Sequence, residues 1–479
     1  MISFIVGIAA LIAGYMVYGA IVEKVFKIDT GRQTPAVRIN DGVDFVVIPV
    51  WRATLIQFLN IAGTGPIFGA IAGALWGPAA FAWIVFGCIF AGAVHDFFCG
   101  MLSLRNDGAT IAELVGKYLG SIPKYIMRVF SVALLIFVGV VFVYTPAQVL
   151  NVLIDPENKS IFTIALVIIM AYYILATILP IDQLIGRIYP IFGAALLIMG
   201  IGITITLFVS GEAATIPEFA FRNLHPKGSA LFPFLFISIA CGAISGFHAT
   251  QSPLMARCLK SEADGRKVFY GAMILEGIVA MIWAAAAIGH FGSQEGLAAA
   301  GSAASVVTRV SVDLMGVIGG ALAVLGVVAC PITSGDTAFR SARLAIADAL
   351  SFNQRPIKNR FIVAIPLFAV GILLVLWSQA GTENFSKIWR YFAWSNQTLA
   401  TIALWAISAY MAKTGKLYWM SLVPAVFMTV VVTSYIIVAP EGFRLPYNFG
   451  IIFGIVLAAV LFVLFIPLIA IKQKNTLSE

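Results

Sequence analysis

A membrane-length apolar segment, residues 48–75, is interrupted at Gly63-Thr64-Gly65-Pro66, and this constrains the chain more than any other feature. Inside a bilayer every backbone N–H and C=O has to be paired within the protein. Non-helical backbone persists there only where it is buried or lines a cavity. Pro66 removes one donor, and the two glycines permit an unwound turn. Groups freed by such a break point into the protein, where they can hold a substrate or an ion. A second break is expected far downstream, at Cys241-Gly242-Ala243-Ile244-Ser245-Gly246. One break alone can be a packing kink. Two, similarly placed in matching halves, read as the binding site of a transporter.

The composition fits a chain that lives in lipid. Of 479 residues, 61% are hydrophobic and 11% charged, against roughly 25% charged in soluble domains. The expected class is an all-α polytopic membrane protein. The net charge of +8 belongs in cytoplasmic loops and signals no nucleic-acid partner. Cys88, Cys99, Cys241, Cys258 and Cys330 lie in or beside apolar segments without CxxC spacing, as small buried residues do. The first apolar stretch, 2–22, lacks a basic leader and is too long for a signal sequence, so it is expected to be a retained helix.

Thirteen spans are expected, near 2–22, 48–75, 77–103, 123–148, 160–180, 188–210, 231–254, 267–290, 311–332, 361–379, 388–412, 417–438 and 447–471. With the N-terminus outside, 22 of the 30 basic residues fall in inside segments and 7 in outside ones, Arg52 lying within the first broken helix. The positive-inside rule favours that orientation, with the C-terminus cytoplasmic. Counted from the first broken span, the second break falls in the sixth, and the two enter from opposite sides. That is the pattern of a 5+5 inverted repeat of the leucine-transporter type, in which the first and sixth core helices are broken. The expected organisation is an extra helix and loop (1–47), a first repeat (48–210), a second repeat (211–412) and two further helices with a tail (413–479). A weak echo, IAGTG at 61–65 and IACGA at 239–243, accompanies the topological match.

The run NIAGTGPIFGAIAGALWGPAAFAWIVFGCIFAGAVHDFFCGMLSLRNDGATI (60–111) resembles the carbon starvation protein A family, as do GFHATQSP (246–253) and CPITSGDTAFRSARL (330–344). The resemblance extends from about residue 30 to about 410. It implies uptake of peptides during nutrient limitation or, as in some relatives, of pyruvate.

Several polar residues are candidates for the chemistry. Asn60, Gly63, Thr64, Gly65 and the carbonyls of 61–65 surround the first break. Uncharged carbonyl oxygens suit a cation, and the helix starting near Pro66 aims its positive end at the midplane, which suits a carboxylate. Close packing of small residues is the structural alternative. Ser245 and His248, with Thr250, Gln251 and Ser252, follow the second break and offer substrate contacts or helix caps. Tyr144 and Asn396 are secondary substrate candidates, and Gln397 needs a partner. Thr333, Ser334, Asp336 and Thr337 lie on the eighth core helix. Leucine-transporter-type proteins supply hydroxyls for a cation from that helix, while Asp336 and Arg340 also have the spacing of a helical ion pair.

His95-Asp96 lies inside an apolar run, where charge is costly. Neighbours on a helix point about 100° apart, so the two are not expected to meet one partner closely. Glu276, on the seventh core helix, is expected to approach His95 or Asp96, and His248 is a further candidate. Three readings stand for this set: a polar staple, a proton relay or a metal site. No cofactor is expected beyond a cation of open identity. The expected function is a secondary active transporter, importing peptides or small carboxylates with a proton or another cation. The alternative is an intramembrane enzyme or metal-dependent protein built on His95, Asp96 and Glu276. The chain holds no nucleophile motif, no HExxH and no P-loop. A channel is less suited to two breaks at the midplane.

Overall fold

The computed structural model of the protein describes residues 1–42, 44–178, 182–219, 222–354, 356–381 and 383–476. The end of the fifth expected span (179–180), Arg355 and the side chains of Arg187, Lys472 and Lys474 lie outside the described residues. The described residues form helices and connecting turns. In chain order the principal helices are α1 (Ile2–Phe26), α2 (Val50–Ile61), α3 (Thr64–Trp76), α4 (Ala79–Arg105), α5 (Ser121–Ile154), α6 (Lys159–Ile178) and α7 (Asp182–Val209). They continue as α8 (Phe234–Ser238), α9 (Gly246–Ala256), α10 (Glu262–Phe291), α11 (Ala303–Ala349), α12 (Ile357–Gln379), α13 (Asn384–Lys413), α14 (Trp419–Val438) and α15 (Tyr447–Thr476).

Ten helices among the described residues are long and apolar enough to cross a membrane, or eleven when α2 and α3, bent by 49° at their break, count as one span. The chain is a multi-pass membrane protein. Two expected spans fall outside this set for physical reasons. The 231–254 span is cut into the short α8 and α9 by non-helical backbone. The 388–412 span lies in the 30-residue α13, whose stretch Ser395-Asn396-Gln397-Thr398 dilutes its apolar character.

Helix ends meet at two rims. On one, the Met1 amine donates to Ile216 O (3.1 Å), Trp76 Nε1 to Ser229 O (3.1 Å) and Tyr447 Oη to Phe232 O (2.8 Å). On the other, Arg105 donates to Glu262 at 2.7 and 2.9 Å, Lys416 Nζ to Phe26 O (2.6 Å) and Lys413 Nζ to Tyr118 O (3.1 Å). Helices α4 and α10 are buried along most of their length, whereas α1 and α15 face mainly outward. Association in lipid depends on close packing rather than on expulsion of water. The fully buried run Ala284–Ala287 of α10 supplies the small side chains such packing needs.

Two π-helical turns bear on the site. One, Cys88–Gly92, lies just before His95 on α4. The other, Val324–Val328, precedes Pro331 on α11. The Pro331 ring would clash with the Val327 carbonyl in a regular helix, and a local widening relieves that clash.

Candidate functional site

The two breaks touch. Helix α2 ends at Ile61, Ala62 and Gly63 leave the helical region, and α3 begins at Thr64. Opposite, α8 ends at Ser238 and α9 begins at Gly246. A methyl group added at Gly65 would lie 2.3 Å from Cys241 Sγ, so only glycine permits this approach. Gly65 and Cys241 are packed together, with no open space between the two breaks at this point.

The freed backbone groups are taken up by neighbouring helices. Asn396 of α13 accepts from Phe247 N at 2.7 Å and from Ser245 Oγ at 3.1 Å. It thereby caps the start of α9. Gln397, next to it, donates to Phe236 O at 2.5 Å and Ile239 O at 3.4 Å, satisfying the end of α8. One dipeptide therefore holds both ends of the second break. Both candidates Ser245 and Asn396 are fully buried and tied to each other. At the first break, Ser334 Oγ donates to Leu59 O at 3.3 Å, and Cys330 Sγ contacts the same carbonyl at 3.4 Å. Helix α11 thus faces the first break. Thr333 bonds to Cys330 O (2.7 Å) and Thr337 to Thr333 O (3.2 Å), both within their own helix. Asp336 accepts from Tyr172 Oη at 2.7 Å and lies 3.9 Å from Arg340. Asn60 is nearly buried, and Thr64 Oγ1 is buried with no hydrogen-bond partner among the described residues.

Beside the breaks lies a chain of titratable groups, all fully buried. Asp96 Oδ1 is 2.8 Å from His95 Nδ1, Asp96 Oδ2 is 2.7 Å from His248 Nδ1, and His248 Nε2 is 3.3 Å from Glu276 Oε2. The last contact has ion-pair distance without hydrogen-bond geometry, and neither Glu276 oxygen finds a hydrogen-bond partner among the described residues. One expectation is corrected: Glu276 meets His248 rather than His95 or Asp96, because the second break carries His248 between α4 and α10. His95 and Asp96 bond to each other, and of the two it is Asp96 that contacts His248. An ionised carboxylate costs about 3 kcal/mol or more at the bilayer centre unless compensated. Here imidazoles from two helices, His95 of α4 and His248 of α9, flank the Asp96 carboxylate. The described residues hold no group of three or more His, Cys, Asp or Glu arranged to bind a metal ion.

Tyr144 sits in an aromatic layer. Its ring stacks on Phe385 at 3.8 Å and meets Phe162 edge-on at 5.0 Å. Trp389, 6.5 Å from Phe385, continues this aromatic layer to Phe68 of α3 at 5.8 Å. Two participants escaped the sequence reading. Gln57 of α2 bonds to Ser252 at 3.4 Å, and an amide inside an apolar run was a usable signal. Tyr172 offered none, since aromatic residues are common in spanning helices.

A family model described as carbon starvation protein CstA matches residues 1–174, 155–291 and 283–435. The chain belongs to the carbon starvation protein family. Among similar proteins, a Haemophilus influenzae membrane protein is 46% identical over 345 residues, covering 62% of this chain and 93% of that one. The peptide transporter CstA of Campylobacter jejuni is 27% identical, covering 87% and 77%. The pyruvate/proton symporter BtsT of Escherichia coli is 30% identical, covering 58% and 47%. Among solved structures, a manganese transporter of Eremococcus coleocola superposes with a TM-score of 0.55 at 11% identity, covering 91% of this chain and 98% of that one. The inward-facing conformation of Mhp1 gives 0.51 at 16% identity, covering 88% and 90%. This carbon starvation protein therefore shares the leucine-transporter-type fold, and membrane transport is its class of function.

Proposed function

We propose that this chain is a secondary active transporter that imports a small peptide or a small carboxylate such as pyruvate, together with a proton, by alternating access. The observation that carries the reading is the buried Asp96–His248–Glu276 chain, lying against a helix break that packs directly on a second break. A carboxylate kept at membrane depth is a functional group by default. His248 lies in the first helical turn after the second break, so a change in its protonation acts beside the backbone that would hold substrate. In this reading Asn60, Gly63, Thr64, Gly65, Ser245, His248 and Asn396 form the substrate region when the breaks separate, and Tyr144 belongs to an outer aromatic layer on the way to it. Thr333, Ser334, Asp336 and Thr337 form a second polar region beside the first break, suited to another cation.

The architecture proposed with this function has thirteen spans, the N-terminus outside and the C-terminus cytoplasmic. Its core is two inverted repeats, 48–210 and 211–412. The contacts at the two rims support the parity of that count, because helix ends assigned to one side meet one another there.

Uptake into proteoliposomes of purified protein tests the reading. Labelled pyruvate and defined di- and tripeptides are offered under an inward proton gradient, an inward sodium gradient or neither. Accumulation driven by the proton gradient is the expected result. Conversion of substrate without accumulation would point instead to an intramembrane enzyme.

A further inference from the structure

A second carboxylate–imidazole–carboxylate arrangement lies at the Met1 rim. His290, in the last turn of α10, has Nδ1 3.1 Å from Glu212 Oε2 and Nε2 3.1 Å from Asp313 Oδ2. Glu212 opens the turn that follows α7. Asp313 lies on the outer limb of α11, three residues before Gly316. There the helix is interrupted by a residue with φ 60° and ψ −145°, a conformation L side chains rarely adopt. The imidazole is 11% exposed, Glu212 31% and Asp313 48%. The group is therefore screened from water but reachable by it.

The chemistry requires a proton. An ionised carboxylate only accepts hydrogen bonds, and a neutral imidazole donates from one nitrogen alone. Filling both contacts takes an imidazolium, or one carboxylic acid beside a neutral ring. A metal is a poor alternative, because the two ring nitrogens point in opposite directions and hold the carboxylates at opposite ends. His290 follows Glu276 by 14 residues on α10, about four turns or roughly 21 Å, so this group is separate from the midplane set. The charged groups at it are Glu212 from the turn after α7 and Asp313 from α11, with Arg309 of α11 on the neighbouring Phe291 ring; the adjoining segments also carry Glu295 and Glu218. Arg309 packs on the Phe291 ring at 4.7 Å, and Glu218 is held by Met1, Ile2 and Ser3. Thr215 also bonds to Gly289 O at 2.9 Å, fixing the turn to α10 independently of charge.

We propose that His290, Glu212 and Asp313 form a second proton-binding site that latches the outer limb of α11, residues 303–315, to the end of α10. With the proton bound, both carboxylates are held by one ring. Without it, one ring nitrogen turns a lone pair toward a carboxylate, and the limb is released about Gly316. Rising pH opens the latch, and the Thr215 contact leaves the turn after α7 in place.

Amide hydrogen exchange on the full-length protein in lipid nanodiscs, between pH 5.5 and 8.5 and corrected for intrinsic rates, tests this without reference to transport. The expected result is opening of amides 303–315 about fivefold or more faster at the alkaline end, with amides 212–216 unchanged. His290→Gln and, separately, the half-exposed Asp313→Asn should each flatten the pH dependence. A merely structural contact would lose protection in the variants yet leave the pH profile unaltered. Protection that is constant with pH in the wild-type protein, or a wild-type profile retained in both variants, overturns the proposal.

Discussion

Asp96 Oδ2 lies 2.7 Å from His248 Nδ1, which joins α4 to the first turn after the second break. The same carboxylate accepts from His95 Nδ1 at 2.8 Å. Asp96 is thus the fixed partner of a side chain whose backbone belongs to the proposed moving element. Asp96→Asn keeps the shape but removes the charge that two imidazoles share. It is expected to abolish accumulation of substrate against a gradient while exchange between equilibrated sides persists. Its amide can accept from only one imidazole and must donate to the other, which forces that ring into its other tautomer and should lower the midpoint of thermal unfolding in detergent. Glu276→Gln should share the transport defect. Wild-type accumulation in both variants would reduce the cluster to a structural staple.

The contact between Gly65 and Cys241 makes a paired prediction. Gly65→Ala places a methyl 2.3 Å from Cys241 Sγ and 2.7 Å from its Cβ, a clash with packed atoms that forces the breaks apart. Uptake should fall at least tenfold. Cys241→Gly removes both clashing atoms, so the double variant should recover much of the loss. Additive defects in the two single variants and their combination would show that the breaks do not act as one unit.

Much of this site was legible because polar residues inside apolar spans are costly and therefore conspicuous. Gly63 to Pro66, His95-Asp96, Glu276 and Asn396-Gln397 all stand out on that ground, and a glycine pair beside a proline identifies a break without any contact information. What the residues could not convey was which helices pair with which. Glu276 selects His248 rather than His95 because α9 brings its first turn between α4 and α10, a matter of helix packing. The stacking of Tyr144 on Phe385 was not legible, because an aromatic ring reads alike in sequence whatever it packs against. The roles of Asn396 and Ser245 as mutual partners follow from the depth of the break, which composition does not encode.

Asn396 is expected to matter for folding before it matters for transport. Its Oδ1 receives the Phe247 N–H and the Ser245 hydroxyl. Asn396→Leu leaves a buried backbone donor unpaired, at about 1–3 kcal/mol, and should lower the unfolding midpoint. Asn396→Asp retains the acceptor and should be milder on this measure. If Leu and Asp unfold alike, the capping role is not what stabilises the break.

Glu218 gives an acid-side dependence at the Met1 rim. Hydrogen bonds from Ser3, the Met1 amine and the Ile2 amide hold its carboxyl at about 2, below the ordinary 4.5. A depressed folded value means the anchoring is fully present above about pH 4.5 and is lost as pH falls toward 2. Exchange protection of the Ile2 and Ser3 amides should therefore weaken as pH falls from about 4.5 toward 2. Glu218→Gln should be less protected at pH 5 and show no such slope. The same slope in the variant would assign it to another group.

The topology has the most direct test, because one missed crossing reverses every later loop. With the N-terminus outside, residues 212–228 lie outside and residues 345–358 inside, separated by the second break, α10 and α11. Lys227 and Ser351 are both exposed, while Cys88, Cys99, Cys241 and Cys330 are buried. Lys227→Cys and Ser351→Cys, in a background with Cys258→Ser, therefore report position with little interference. An impermeant maleimide added to intact cells should label Lys227→Cys at once and Ser351→Cys only after permeabilisation. The reverse pattern would invert the orientation while keeping the parity. Labelling of both from one side would break the thirteen-span map, and with it the inverted relation of the two repeats on which alternating access through Gly63–Gly65 and Cys241–His248 depends.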